Sequence, residues 1–201
     1  MEDILSRLEK VRIGIAGAGG LGSNATMALI RAGVQNIVIA DYDCVEKSNL
    51  NRQYFFADQI GMSKVEALKI NALRVNPDCN ITTHHLKITP DNAVALFSGC
   101  DVIIEAFDKA DQKIMLIETL MKHLPNTPIV TGSGIGGWGK SGDIQCKRFG
   151  NIIQCGDFET ETDETHPPLA PRVGIVANMQ ANEALDMVMR DKEGGMSIAP
   201  S

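Results

Sequence analysis

No stretch of the chain approaches the ~20 consecutive apolar residues that a membrane-spanning helix needs. The opening Met1-Glu2-Asp3 lacks the basic-then-apolar order of a secretory signal. Together these absences set the expectation of a protein that remains in the cytoplasm and uses no membrane. Basic residues are in the minority, 19 Lys and Arg against 25 Asp and Glu for a net charge of −6, and they form no stripe. Nucleic-acid binding leans on basic patches, so nucleic acid is not expected as the primary partner. The five cysteines, Cys44, Cys79, Cys100, Cys146 and Cys155, are never closer than nine residues apart. Paired Cys-x-x-Cys ligands are therefore missing and no zinc is expected. An odd, unpatterned set of thiols fits a reducing compartment. His84, His85 and His166 also lack metal-ligand spacing.

What is present is ordinary in bulk and specific in places. At 201 residues and 44% apolar content the chain suits one domain with a sizeable core. An apolar strand, Val11 to Ala16, breaks into Gly17-Ala18-Gly19-Gly20-Leu21-Gly22, and a helical pattern runs from Ser23 to Ala32. Glycine lets a backbone approach a ligand closely, and a following helix offers unpaired N–H groups to phosphate. A second strand, Asn36 to Ala40, ends in Asp41, placed to accept hydrogen bonds from ribose hydroxyls. By itself Gly17-x-Gly19-x-x-Gly22 with an acidic residue about 20 positions on is a dinucleotide fingerprint, and it leaves an NAD-dependent oxidoreductase open.

The next segment changes that balance. Ser48-Asn49-Leu50-Asn51-Arg52-Gln53 follows, and Gly61-Met62-Ser63-Lys64 opens a helix from Lys64 to Val75. Arg52 can grip phosphate oxygens bidentately, and Lys64 adds a compact charge, so the two are expected to converge on one anion. A triphosphate needs such a pair more than a pyrophosphate diester does. Strand Asp101 to Ala106 then delivers Phe107-Asp108 at its carboxyl end, where ligands sit in open parallel sheets. Asp108 suits a magnesium ion, which binds through one or two carboxylates plus substrate phosphates; as a helix cap it would serve the helix starting near Asp111.

In this order the residues resemble the ThiF/MoeB/HesA family, relatives of ubiquitin-activating enzymes, and most closely a short ThiF-type protein. The matching elements are Gly17 to Ser23, Ile39 to Val45, Ser48 to Gln53, Gly61-x-x-Lys64-Val65, and Asp108 after its strand. The resemblance implies ATP- and magnesium-dependent adenylation of the C-terminal glycine of a small ubiquitin-like sulfur carrier of the ThiS type, in thiamine biosynthesis, with pyrophosphate released. It implies that Gly17, Gly19, Gly20, Gly22 and Asp41 cradle the adenosine, that Ser48, Asn49, Arg52 and Lys64 hold phosphates, and that Arg52, Lys64 and Asp108 carry catalysis, Asp108 as metal ligand. It also implies a homodimer. A tRNA-modifying dehydratase of the same superfamily is the near alternative.

Three departures from the family stand out. The loop Asp157 to Arg172 has no cysteine to link to a carrier, and Cys155 reads as a buried strand residue. The family's N-terminal arginine arm has no matching motif, which leaves Arg7 and Arg12 as stand-ins. Lys109 occupies a position where relatives commonly have asparagine. The remaining pattern is strand Asn80 to His84, helix Asp91 to Phe97, helix Ala110 to His123, strand Thr127 to Thr131, a hairpin of Gly142 to Phe149 and Ile152 to Cys155, and a last helix Arg172 to Arg190. The expected architecture is therefore α/β: a Rossmann-like, mostly parallel sheet with helices on both faces and a short antiparallel C-terminal extension. Residues 1–190 form a single ATP-binding adenylation domain, followed by a disordered tail at 191–201. Trp138, in a glycine-rich loop, is expected to pack in the core, with a partner subunit or the carrier groove as the other places for it.

Overall fold

Two apolar layers of different width sandwich one sheet, and the alternation of side chains along each strand decides which layer a residue joins. The structure, a computed structural model, describes residues 4–190, so the expected tail at 191–201 lies outside the described residues. In chain order the elements are α1 (Ile4–Leu8), β1 (Arg12–Ala16), α2 (Gly20–Ala32), β2 (Asn36–Asp41), α3 (Lys64–Val75), β3 (Asn80–His85), α4 (Pro90–Phe97), β4 (Val102–Glu105), α5 (Ala110–His123), β5 (Ile129–Ser133), β6 (Gln145–Phe149), β7 (Ile152–Gly156) and α6 (Ala170–Arg190). The seven-stranded sheet has the order β3-β2-β1-β4-β5-β7-β6. Only the β6–β7 pair is antiparallel. The expected antiparallel extension is this β6–β7 hairpin, joined to the main sheet through β7, which pairs in parallel with β5.

Ile13 and Ile15 of β1, with Ile37, Ile39 and Ile104 from its neighbours, pack under α2, α3 and α6. Ala16, Val38, Ala40 and Ile103 face the other way, against Leu96 and Phe97 of α4 and Leu116 and Leu120 of α5. Period-2 alternation in parallel strands buried on both faces gives this division. Phe97 is fully buried, and a Cβ added at Gly14 would stand 2.7 Å from its ring. That close approach leaves Phe97→Ala with a cavity costing about 3–5 kcal/mol.

The helix boundaries follow local chemistry. Helix α2 starts at Gly20 rather than Ser23, because Ser23 N–H already donates to Gly19 O at 3.0 Å and the glycine loop closes directly into the first turn. It ends at Gly33 (φ 109°), where the amides of Gly33 and Val34 turn back to Ile30 and Leu29. Helix α4 carries Pro90 in its first turn, and the Asn92 side chain accepts the Thr89 N–H at 2.8 Å. Helix α6 starts at Ala170, two residues before the expected Arg172, since Pro171 in a first turn has no amide to satisfy. Trp138 departs from expectation: it is 68% exposed on its glycine-rich loop.

Candidate functional site

Between β1 and β4 the strand order reverses, and their carboxyl ends open a crevice of the kind in which α/β sheets bind ligands. A cavity of about 640 Å³ occupies it. Its floor is the glycine turn. Gly17 has φ 98°, and a Cβ there would lie 3.0 Å from Ala106 O; one at Gly22 would lie 1.8 Å from Gly17 O. Those contacts are backbone atoms that cannot move aside, so both positions require glycine. Gly17, Gly19 and Gly20 line the cavity, whereas Gly22 does its work behind it, letting α2 close onto the loop.

Asp41, at the end of β2, also lines the cavity. Its two oxygens accept the Ala18 N–H at 2.6 Å and the Asp43 N–H at 2.7 Å, so it fixes the glycine turn before any ligand arrives. Burial pushes its carboxyl above the usual aspartate range, while the two amides and the Lys64 charge pull the other way.

Arg52, Lys64 and Asp108 line the same cavity, but they are not equivalent. The Arg52 guanidinium touches Ser48 O at 3.2 Å and Asn51 Oδ1 at 2.8 Å, with no carboxylate partner among the described residues. Lys64 is buried and its Nζ sits 2.8 Å from Asp43 Oδ2, so its charge is already paired. The structure therefore brings the two cations to one cavity without leaving both unpaired for one anion. Ser48 and Asn49 are not in its wall. The Ser48 hydroxyl bonds Glu46, and buried Asn49 caps its own short turn by accepting the Glu46 N–H at 3.0 Å. Both shape the turn that presents Arg52. Among the described residues the Asp108 side chain has no hydrogen-bond or ion-pair partner, and it does not cap α5, whose N-cap is Lys109. Lys87 and Lys109 add two more cations to the lining without a carboxylate partner among the described residues.

Several residues in the wall and directly behind it carry no motif signature in the sequence. Glu105 is fully buried at the end of β4, where its carboxylate accepts the Phe107 N–H at 2.7 Å, the Thr131 hydroxyl and the Lys113 ammonium. Lys113 and the Gly132 to Ile135 turn belong to the cavity wall. The signal was available: a carboxylate closing the apolar run Val102-Ile103-Ile104 in a doubly covered strand needs a partner.

Beyond that turn the wall continues through Glu161, Thr162 and Pro168. This segment is pinned by Arg172, which donates to Gly139 O at 2.7 Å and pairs with Asp157, both side chains being nearly inaccessible. Burial alone would raise Asp157, but bonds from Thr160 and Glu159 and the Arg172 charge outweigh it and hold the carboxyl below the usual range. Cys155 is fully buried on β7, its Sγ 3.1 Å from that of Cys146 and outside the cavity wall. Arg12 begins β1 and Arg7, on the helix before it, donates to Met189 O at 2.7 Å, so both lie at the amino ends of the strands, opposite the crevice. Among the described residues no group of three or more His, Cys, Asp or Glu side chains gathers into a metal-ligand set, and no helix is long and apolar enough to cross a membrane.

A glycine turn at the topological switch point, an acidic residue ending β2 and a wall with cations lacking carboxylate partners among the described residues make a doubly wound α/β domain with a crevice at the place where such folds bind ligands. Residues 1–198 match the ThiF family, and the chain belongs to it. It is 32% identical over 193 residues to the adenylyltransferase and sulfurtransferase UBA4 of Candida glabrata, and 29% identical over 200 residues to the adenylyltransferase and sulfurtransferase MOCS3 of Drosophila sechellia. Each match takes in 91% of this chain but only 43% and 41% of those proteins, so the chain spans less than half their length. In fold it resembles the Escherichia coli tRNA N6-threonylcarbamoyladenosine dehydratase TcdA in complex with AMP, with a TM-score of 0.86, 24% identity and coverage of 96% of this chain and 91% of that one. Escherichia coli MccB with ATP gives a TM-score of 0.72 at 20% identity, covering 93% of this chain and 59% of that one.

Proposed function

We propose that this domain transfers the adenylyl group of ATP to the C-terminal carboxylate of a small ubiquitin-like sulfur carrier ending in Gly-Gly. The observation that carries the reading is the single cavity joining the glycine turn, Asp41, Arg52 and Asp108 to a second end walled by Gly132 to Ile135 and by Glu161, Thr162 and Pro168. The first end suits a nucleotide; the second gives a slender chain terminus a way to the same point. Relatives named as adenylyltransferases support the choice of reaction, and structures of the same fold with AMP or ATP support the nucleotide.

In the reaction a carboxylate oxygen attacks the α-phosphorus, the bond from that phosphorus to the bridging oxygen of the β-phosphate breaks, and pyrophosphate leaves with the electron pair. Two anions must meet, so the protein's part is positioning and cationic stabilisation. Asp41 accepts from the ribose hydroxyls and the α2 amides face phosphate. Arg52, with Lys64 held by Asp43, takes charge on the leaving group. Asp108, unengaged and on the wall, fits a magnesium ligand, an ion that neutralises phosphate charge when bound. A ThiS-type carrier in thiamine synthesis, a cytoplasmic setting and a homodimer complete the reading.

The second reading is the dehydratase role of TcdA, favoured by a similarity that covers 91% of that chain; the acidic balance of this chain opposes a tRNA partner. Exchange of labelled pyrophosphate into ATP separates the two. Exchange that depends on a ThiS-type carrier supports the proposal, exchange that depends on threonylcarbamoyl-tRNA supports the alternative, and neither, with NAD bound in place of ATP, restores the oxidoreductase.

A further inference from the structure

The buried network behind the cavity wall gives one lysine a job that its salt bridge does not exhaust. Lys113 stands in the first turn of α5, its backbone N–H on Lys109 O at 3.0 Å. Its ammonium is held from two sides, by Glu105 Oε2 and by Thr131 Oγ1 at 3.3 Å, and the Thr131 hydroxyl proton goes to the same carboxylate oxygen. An ammonium has three donors. Two are used, and the residue is on the cavity wall.

Its place along the wall identifies the acceptor. On one side lie Asp108 and Lys109, on the other Gly132 and Ser133, which follow Thr131 in β5. Lys113 therefore stands at the junction between the nucleotide end and the second end. A fully buried carboxylate is a costly way to neutralise a lysine that already reaches solvent. Glu105 instead fixes the ammonium to a point, and the same carboxylate holds the Phe107 N–H and with it the turn bearing Asp108.

Resting on the adenylation reading above, we infer that Lys113 is the residue that receives the terminal carboxylate of the acceptor chain, with Glu105 and Thr131 as its positioning residues. The free N–H donates to one carboxylate oxygen, leaving the other directed to the α-phosphorus. The lysine forms and breaks no covalent bond.

The test is binding of a ThiS-type sulfur carrier, prepared with a free C-terminal carboxylate and as the C-terminal amide, to protein saturated with a non-hydrolysable ATP analogue. Titration calorimetry should show the acid binding wild type at least about tenfold tighter than the amide, the range of a charge-assisted hydrogen bond. Because Lys113→Met alone strands a buried carboxylate, the informative variant is Glu105→Gln with Lys113→Met, which keeps the pocket neutral and hydrogen-bonded. It should bind the analogue normally and bind acid and amide within about twofold of each other, and Lys113→Arg should keep the preference. A tenfold preference surviving in the double variant overturns this inference and leaves the adenylation reading standing. Absence of any acid preference in wild type overturns it as well. Failure of either form to bind wild type, together with no carrier-dependent exchange, overturns both.

Discussion

The two ends of the cavity are built on opposite principles. At the glycine end, backbone does the work: Gly17 and Gly22 allow main chains to touch, and Asp41 accepts two amides within 24 residues of the turn it braces. At the second end, side chains of separate elements are tied to one another, Glu105 to Lys113 by charge and to Thr131 by a hydrogen bond, and Asp157 to Arg172 by charge. Local constraint makes the first end intolerant of added atoms. The second end depends on ionisation, and so on pH.

The sharpest break comes from the first end. Gly22→Ala drives a methyl into Gly17 O, and ATP affinity measured by calorimetry should fall at least about a hundredfold, with reduced yield of folded protein. Next, Arg52→Ala removes a half-exposed cation that holds no buried partner; pyrophosphate exchange should fall about a hundredfold or more while the melting temperature stays put. Wild-type exchange in that variant would remove Arg52 from the reaction. Asp157→Asn, at the second end, leaves buried Arg172 without its counter-charge and should cost about 3 kcal/mol in denaturant unfolding.

The pH dependence of that pair has a fixed sign. Asp157 is held low, so its stabilisation is complete above the ordinary aspartate range and is lost as pH falls through the lowered value; in Asp157→Asn this acid-side loss should be missing. Asp41 is pushed the other way, so ATP affinity should decline on acidification from a higher pH than free aspartate would set, by a few-fold, and Asp41→Asn should flatten that limb. The smallest effect belongs to Lys147, whose ammonium lies 4.0 Å from the Phe158 ring; Lys147→Ala should cost only about 0.5 kcal/mol.

The same contrast decides what the sequence made legible. Gly17 to Gly22, Asp41 and the strand–helix alternation were readable because each rests on local geometry with a fixed spacing, and the parallel sheet with helices on both faces followed from them. The resemblance places Ser48 and Asn49 with the phosphate ligands, and a motif does not separate a residue that touches a ligand from one that folds the loop presenting Arg52, which is what both do in this structure. The pairing of Lys64 with Asp43, and of Lys113 with Glu105, joins separate elements and left no periodic mark. Core packing, the expectation for Trp138, does not hold: it is exposed on a loop in which Gly137 and Gly139 take positive φ.

The bond from Arg7 to the carbonyl of Met189 joins the first and last described helices toward the amino ends of the strands, away from the cavity. A tag, a linker or another domain grafted at residue 4 or at residue 190 starts from that same corner. An affinity tag or fluorescent reporter placed there leaves the mouth of the crevice clear, and a short bridge between residues 4 and 190 gives a route to circular permutants whose new termini open in a surface loop.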